Sequence, residues 1–351
     1  MQSKRKSSVL IFLVGGILGC TTVQKIPMTV EEAAQVSSSK AGAWVQQGTI
    51  FAVLGNSSGG DAAVANATAQ FGMVGAFAGA LGTAIAHAIA TGVVNKRIEP
   101  LAKTLKEVPV QKHLREQLSK DLTQVTWLKS KTINGHQYKE LEEIIKEANE
   151  DGILDVRLVY YSDTWVKNII MQVDVSYYAK SEKMLQVYEK IRQLNPKAET
   201  RESKTSIGEN DFPVLYRNWF YYVETLPPSV LKAHPDMKPV DLWARDNGKI
   251  AKEVLMRGVR EISQLIAADL NQLAAANKKF SQTDAKFPET GLRQYDAGHK
   301  KFSGKVLRSS AHRMLLEQKE GSFASVPTED FIKPDSDSGS GTGTKVSSLG
   351  E

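Results

Sequence analysis

Thiol chemistry is almost absent from this 351-residue chain, which holds one cysteine, Cys20. A lone cysteine excludes a disulfide framework within the chain. Histidine is thinly spread: His87, His113, His136, His234, His299 and His312 include no pair at the helical spacing of a zinc-binding H-E-x-x-H motif. Gly55-Asn56-Ser57-Ser58-Gly59 spells G-x-S-x-G, but in a turn-rich stretch with no recognisable base partner in a motif context, and the sequence has no Walker loop and no dinucleotide-binding glycine pattern. It therefore reads as non-enzymatic, with no catalytic residue, no metal and no cofactor to assign. Charge is missing over one long stretch, since Asp61 is the only charged residue between Lys40 and Lys96. The hydrophobic fraction of 41% is ordinary for a folded protein.

The cysteine has a definite context. Lys4, Arg5 and Lys6 precede an apolar run, Val9 to Val14 with Ile17 and Leu18. That run falls short of the ~20 residues of a comfortable membrane span and has the order of an export signal. It closes on Ile17, Leu18, Gly19 and Cys20, an "ILGC" that resembles the lipobox of bacterial lipoproteins. The resemblance implies cleavage after residue 19, diacylglyceryl attachment to Cys20, and a membrane partner reached through lipid. Several acyl chains hold a protein firmly, at ~0.8 kcal/mol per buried methylene. Alkylation also removes a thiol that an oxidising compartment would make a liability. Thr21, where an enteric-type lipoprotein retained in the inner membrane carries Asp, implies the outer membrane. Loss of the three basic signal residues halves the formal charge of +6, so the basic balance is weak support for a nucleic-acid partner.

Residues 20–40 read as a lipidated tether and 41–97 as an apolar, glycine-rich region broken by the turn-rich Gly55 to Asp61. Gly72, Gly75, Gly79 and Gly82 recur at spacings of three and four, which puts them on one helical face. Glycine costs ~1 kcal/mol against alanine in a helix, so close backbone packing is the expected compensation. The pattern resembles the glycine zippers of bacterial envelope proteins. As a helix, residues 71–94 would reach about 36 Å, enough for a bilayer. Membrane insertion or membrane-bound oligomerisation, burial in a soluble hairpin, and a flexible apolar region are the three readings. His87 in this stretch would be a pore-facing proton site or a neutral hydrogen-bonded side chain.

From about residue 105 to 277 the chain reads as an α+β domain, a mainly antiparallel sheet covered by helices on one face, able to fold by itself. Strands are expected over 122–129, 153–161, 168–178 and 214–223, the third carrying a clear two-residue alternation. A helix is expected over 138–152, with Leu141, Ile144, Ile145 and Ala148 on one face. Residues 181–195 fit a helix or a strand, 196–211 a loop, and 226–239 no regular structure. Asp241 is placed to cap a long helix whose stripe is Ile250, Val254, Ile262, Leu265, Ile266, Leu270 and Leu273. Residues 278–334 read as a weakly structured extension and 335–351 as a disordered tail.

Two groups of side chains invite a function. Asp151, Asp155, Asp163, Glu147 and Glu150 crowd one strand, where they would do acid–base work or simply form turns. The doublets Tyr160/Tyr161, Tyr177/Tyr178 and Tyr221/Tyr222 lie near strand ends, so one ring of each should face away from the core. Tyr161, Tyr178 and Tyr222 would then form an aromatic stripe for a glycan or an envelope protein, or else pair across strands. The sequence thus points to a lipid-anchored envelope binding or assembly module, forming a homo-oligomer through its glycines, or to a pore-forming oligomer.

Overall fold

A computed structural model describes residues 28, 30–45, 50–53, 92–134, 144–145, 148–163, 165–194, 204–207, 210–272, 292–296, 301–310, 312–319 and 321–328. Cys20, the signal, the glycines at 72, 75, 79 and 82, His87 and the 335–351 tail lie outside them. In chain order the elements are α1 (Val30–Gln35), β1 (Ser39–Val45), β2 (Phe51–Val53), α2 (Gly92–Leu105) and α3 (Val110–Asp121). Then come β3 (Ser130–Asn134), β4 (Gly152–Asp163), β5 (Asn168–Ala179), α4 (Glu182–Leu194), β6 (Lys204–Ile207) and β7 (Asn210–Thr225). The chain continues through α5 (Pro228–Ala233), α6 (Pro239–Gln272), β8 (Leu292–Asp296), β9 (Lys301–Ser309), β10 (Arg313–Gln318) and β11 (Phe323–Pro327).

These strands make one mixed, mostly antiparallel sheet in the order β3-β1-β4-β5-β7-β11-β10-β9-β8, with β2 beside β4 and β6 beside β7. Its centre is the antiparallel trio β4, β5 and β7, in which Val156 faces Val175 and Val173 faces Phe220. The alternation of β5 does what its sequence indicates. Ile169, Met171, Val173, Val175 and Tyr177 enter the main core with Leu154, Val156, Leu158 and Tyr160 of β4. Helix α6 lies on that face through Val254, Leu255, Val259, Ile262, Ile266 and Leu270. It approaches closely because position 258 is glycine: a Cβ there would stand 2.3 Å from Met171 Sδ. The fold is the α+β arrangement expected.

Several local expectations fail for identifiable reasons. Residues 122–129 are no strand: Leu122–Gln124 is a 3₁₀ turn extending α3, and Trp127 packs edge-on against Tyr177 with its indole N–H donating to Leu270 O at 2.7 Å. The apolar spacing there serves packing under α6, not pleating. Residues 228–233 are helical despite the prolines, because Pro228 occupies the first turn, where its missing N–H costs nothing. Asp241 lies in the first turn of α6, which starts at Pro239. Ile250 is exposed, and α6 breaks at Arg245–Gly248, where Asp246, Asn247 and Gly248 take positive φ. Residues 181–195 resolve to a helix, and β6 with the start of β7 falls in the expected 196–211 loop. Of the helix expected at 138–152, residues 144–145 are helical and much of the rest lies outside the described residues.

Both flanks of the expected 105–277 unit belong to the same sheet. Met28, Ala33 and Val36, placed in the tether by the sequence reading, are core residues, and β1 runs parallel to β4. The extension read as weakly structured supplies β8 to β11, and β11 pairs with β7 from Phe323–Phe220 to Ser325–Tyr222. The sheet curls enough for Phe302 of β9 to reach Tyr221 of β7, three strands away, at 5.2 Å between ring centroids.

Candidate functional site

The second face of β4, β5 and β7 should be wet if helices cover only one side, yet every residue of β4 and β5 is buried. One end of this face is covered by Trp44, Ile144, Ile145 and Ala148, packed on Ile153, Tyr178 and Val214. The other end is covered by Phe51 and the curled strands, through Phe302, Met314 and Leu316 against Val159, Tyr161, Ile170 and Tyr221. Between these apolar ends lies an ionic belt made of Asp155 and Arg157 on β4, Asp174 and Ser176 on β5, and Arg217 on β7.

Strand register builds the belt. Arg157 stands opposite Asp174, Asp155 opposite Ser176, and Ser176 opposite Arg217. Arg157 Nε donates to Asp155 Oδ2 at 2.7 Å. Ser176 Oγ donates to Asp174 Oδ1 at 3.2 Å and accepts from Arg217 Nε at 3.1 Å. Burial pushes the Asp155 carboxyl up, and the Arg157 charge offsets only part of it. Asp174 is raised by the same cause against the pull of Arg217. Asp155 Oδ1 has no hydrogen-bond partner, so one strong acceptor is held dry beside two guanidinium groups. Two carboxylates and two guanidiniums balance in charge, which lets the belt persist under apolar cover.

Of the other carboxylates in this stretch, Glu147 lies outside the described residues, Glu150 accepts from Asn149 N at 2.9 Å, and the two aspartates hold backbone. Asp151 accepts from Ser37 N at 2.7 Å and Ser38 N at 3.2 Å, fastening the start of β1. Asp163 accepts from Asn168 N at 2.9 Å, closing the β4–β5 hairpin. On the helix face, Asp269 of α6 accepts from the Tyr216 hydroxyl at 2.6 Å and from Asn218 Nδ2 at 2.8 Å.

The structure does not form the proposed aromatic stripe. Tyr161, Tyr178 and Tyr222 are all buried. Tyr222 faces α6, whereas Tyr161 and Tyr178 lie on the opposite face. Those two stand at opposite ends of the β4–β5 ladder, since Tyr161 faces Ile170 and Tyr178 faces Ile153. Burial raises the phenol of each above its ordinary range. The rings fill core space because both faces of this sheet are covered.

The belt escaped the sequence reading, which weighed Asp155 alone. The signal was present as charge at two-residue spacing, Asp155-x-Arg157 and Asp174-x-Ser176, in strands otherwise apolar enough for a core. Among the described residues no group of three His, Cys, Asp or Glu could hold a metal ion, and no helix is long and apolar enough to cross a membrane. No protein-family model matches this chain, and neither a curated protein nor a solved structure matches it.

Proposed function

We propose that this chain is a lipid-anchored protein of the bacterial envelope, in the outer membrane, whose folded domain is a non-enzymatic binding or assembly module. The observation that carries the reading is Cys20 closing "ILGC" after a basic and then apolar leader. The fold is compatible with it. Met28 is already buried in the core, so the chain between Cys20 and the domain can span at most about 30 Å. A domain on so short a leash stays beside the membrane. Asp151, Asp155 and Asp163 are engaged with backbone N–H groups or with an arginine, which supports a scaffold role over acid–base chemistry. Acyl labelling tests the anchor: the wild-type chain should carry lipid at Cys20 and Cys20→Ser should not. An unmodified Cys20 thiol in the mature protein would overturn it.

A second reading, a pore-forming oligomer, is favoured by one geometric fact. Strand β2 ends at Val53 beside Asp163, at the β4–β5 hairpin end of the sheet, and α2 begins at Gly92 and brings Arg97 to that same hairpin. The glycine-rich segment thus leaves and re-enters the fold at one end, as a membrane hairpin requires. Conductance across a planar bilayer separates this reading from passive anchoring.

A further inference from the structure

The chain has five tryptophans, and Trp44, Trp127, Trp219 and Trp243 are all buried. Trp165 is 65% exposed. It sits in the turn between β4 and β5, and that turn is firmly held. Val166 N donates to Asp163 O at 3.0 Å, Trp243 Nε1 donates to Val166 O at 2.9 Å, and Leu226 N donates to Lys167 O at 3.0 Å. Val166 has φ of 57°, unfavourable for a β-branched residue, and its side chain is fully buried. The turn therefore spends backbone strain to drive Val166 inward, while the preceding indole, Trp165, is presented outward.

A guanidinium lies over that indole. The Arg97 guanidinium lies 5.5 Å from the Trp165 ring centroid. Lys96, next to Arg97 in the chain, and Lys167, two residues after Trp165, are exposed. Asp163 of the same turn is buried on the Asn168 N–H, and Glu99, one residue beyond Ile98 on α2, pairs with Lys103 at 2.8 Å. An amphipathic ring flanked by guanidinium and ammonium groups matches the headgroup layer of an anionic bilayer, with the indole at the acyl boundary and the cations on phosphates. The chain path points the same way, because the stretch between Val53 and Gly92, almost devoid of charge, joins the fold at this end.

We propose that the Trp165 turn, with Lys96, Arg97 and Lys167, is a docking surface for an anionic phospholipid bilayer, orienting the domain with its β4–β5 hairpin towards the membrane. This rests on the reading of the chain as a membrane-anchored envelope protein and adds to it a second, non-covalent contact.

The full-length protein is reconstituted on vesicles of phosphatidylcholine, with and without phosphatidylglycerol, and its tryptophan fluorescence is quenched from either side. Because Trp165 alone is exposed among the tryptophans, aqueous iodide reports on it. On phosphatidylglycerol vesicles, iodide quenching should fall several-fold and brominated phospholipid should quench the same emission. Trp165→Phe should remove both signals without changing the thermal transition. Arg97→Glu with Lys167→Glu should restore iodide access while the protein still floats with the vesicles. Unchanged iodide quenching on floating protein, with no effect of brominated lipid, overturns the proposal. The acyl mass at Cys20, measured on the same sample, judges the anchor separately: a lipidated chain with a water-exposed Trp165 sinks this surface alone, and an unlipidated chain with a lipid-quenched Trp165 sinks the anchor alone.

Discussion

The Arg313 guanidinium lies over the Tyr222 ring, 4.0 Å from its centroid, and joins the C-terminal strands to the middle of the sheet. From β10 it reaches Glu224 at 3.1 Å, Glu261 of α6 at 3.0 Å and the Ser325 and Val223 carbonyls. Arg257 of α6 completes the knot by donating to the Tyr222 hydroxyl at 2.8 Å and to Glu224 at 2.6 Å. Arg313→Ala removes the largely buried cation that these carboxylates share. It should cost about 3 kcal/mol of stability, read from denaturant melts. Arg313→Lys should recover little, because one ammonium cannot make the forked contacts.

A fragment spanning residues 105–277 should not fold cooperatively, against the expectation from the sequence. Cutting there strips β1 from β4 and β11 from β7, leaving two long apolar edges and uncovering one end of the ionic belt. A broad thermal transition and aggregation are the expected outcome. A sharp, reversible melt would show that the flanking strands are dispensable.

Asp155 and Arg157 should show strong coupling in a double-mutant cycle. Asp155→Leu or Arg157→Leu alone leaves a dry charge and should cost ~3–5 kcal/mol, whereas the double replacement should be near neutral. If the double variant is as unstable as the sum of the singles, the pair is not the unit that strand register makes it.

Alkali should unfold the protein through its tyrosines. Burial pushes Tyr160 up to about 12 and raises Tyr177 as well. Tyr216 is raised well above the ordinary 10.0 by burial and by the Asp269 carboxylate. A phenol whose folded value is raised adds stability that is complete below the unfolded value near 10 and is lost as pH rises through the folded one. An ultraviolet phenolate titration should therefore show a fraction that ionises only as the fold is lost. Smooth ionisation of all ten tyrosines near pH 10 would contradict the packing.

Gly75→Leu with Gly79→Leu tests the glycine face. Leucine is the better helix former by up to ~1 kcal/mol per site, so helicity should hold or rise while lipid-bound oligomers, read by crosslinking, decline. Phe77→Leu, on another face, should matter less.

The sequence by itself determined the features that depend on near neighbours. The alternation from Ile169 to Tyr177 gave β5 its strand and its core face, and the Val254–Ile262–Ile266–Leu270 stripe gave α6 its buried side. Both are periodicities written in one segment, so no distant residue was needed to read them. Tertiary structure decided what covers a face and what pairs with an edge. Asp155, Arg157, Asp174 and Ser176 look like a solvated strand side until Phe302, Met314 and Leu316 arrive from well over a hundred residues away and bury the sheet around them. Tyr161 is a core residue for the same reason, and Tyr178 because Trp44, Ile144 and Ile145 cover the other end. Strands β9 to β11 carry little period because their burial comes from β11 pairing with β7 and from Phe302, Met314 and Leu316 packing on the face of β4, β5 and β7. The exposure of Trp165 follows from a backbone turned against the preference of Val166, which only the packing of Trp243 and Leu226 around that turn could hold in place.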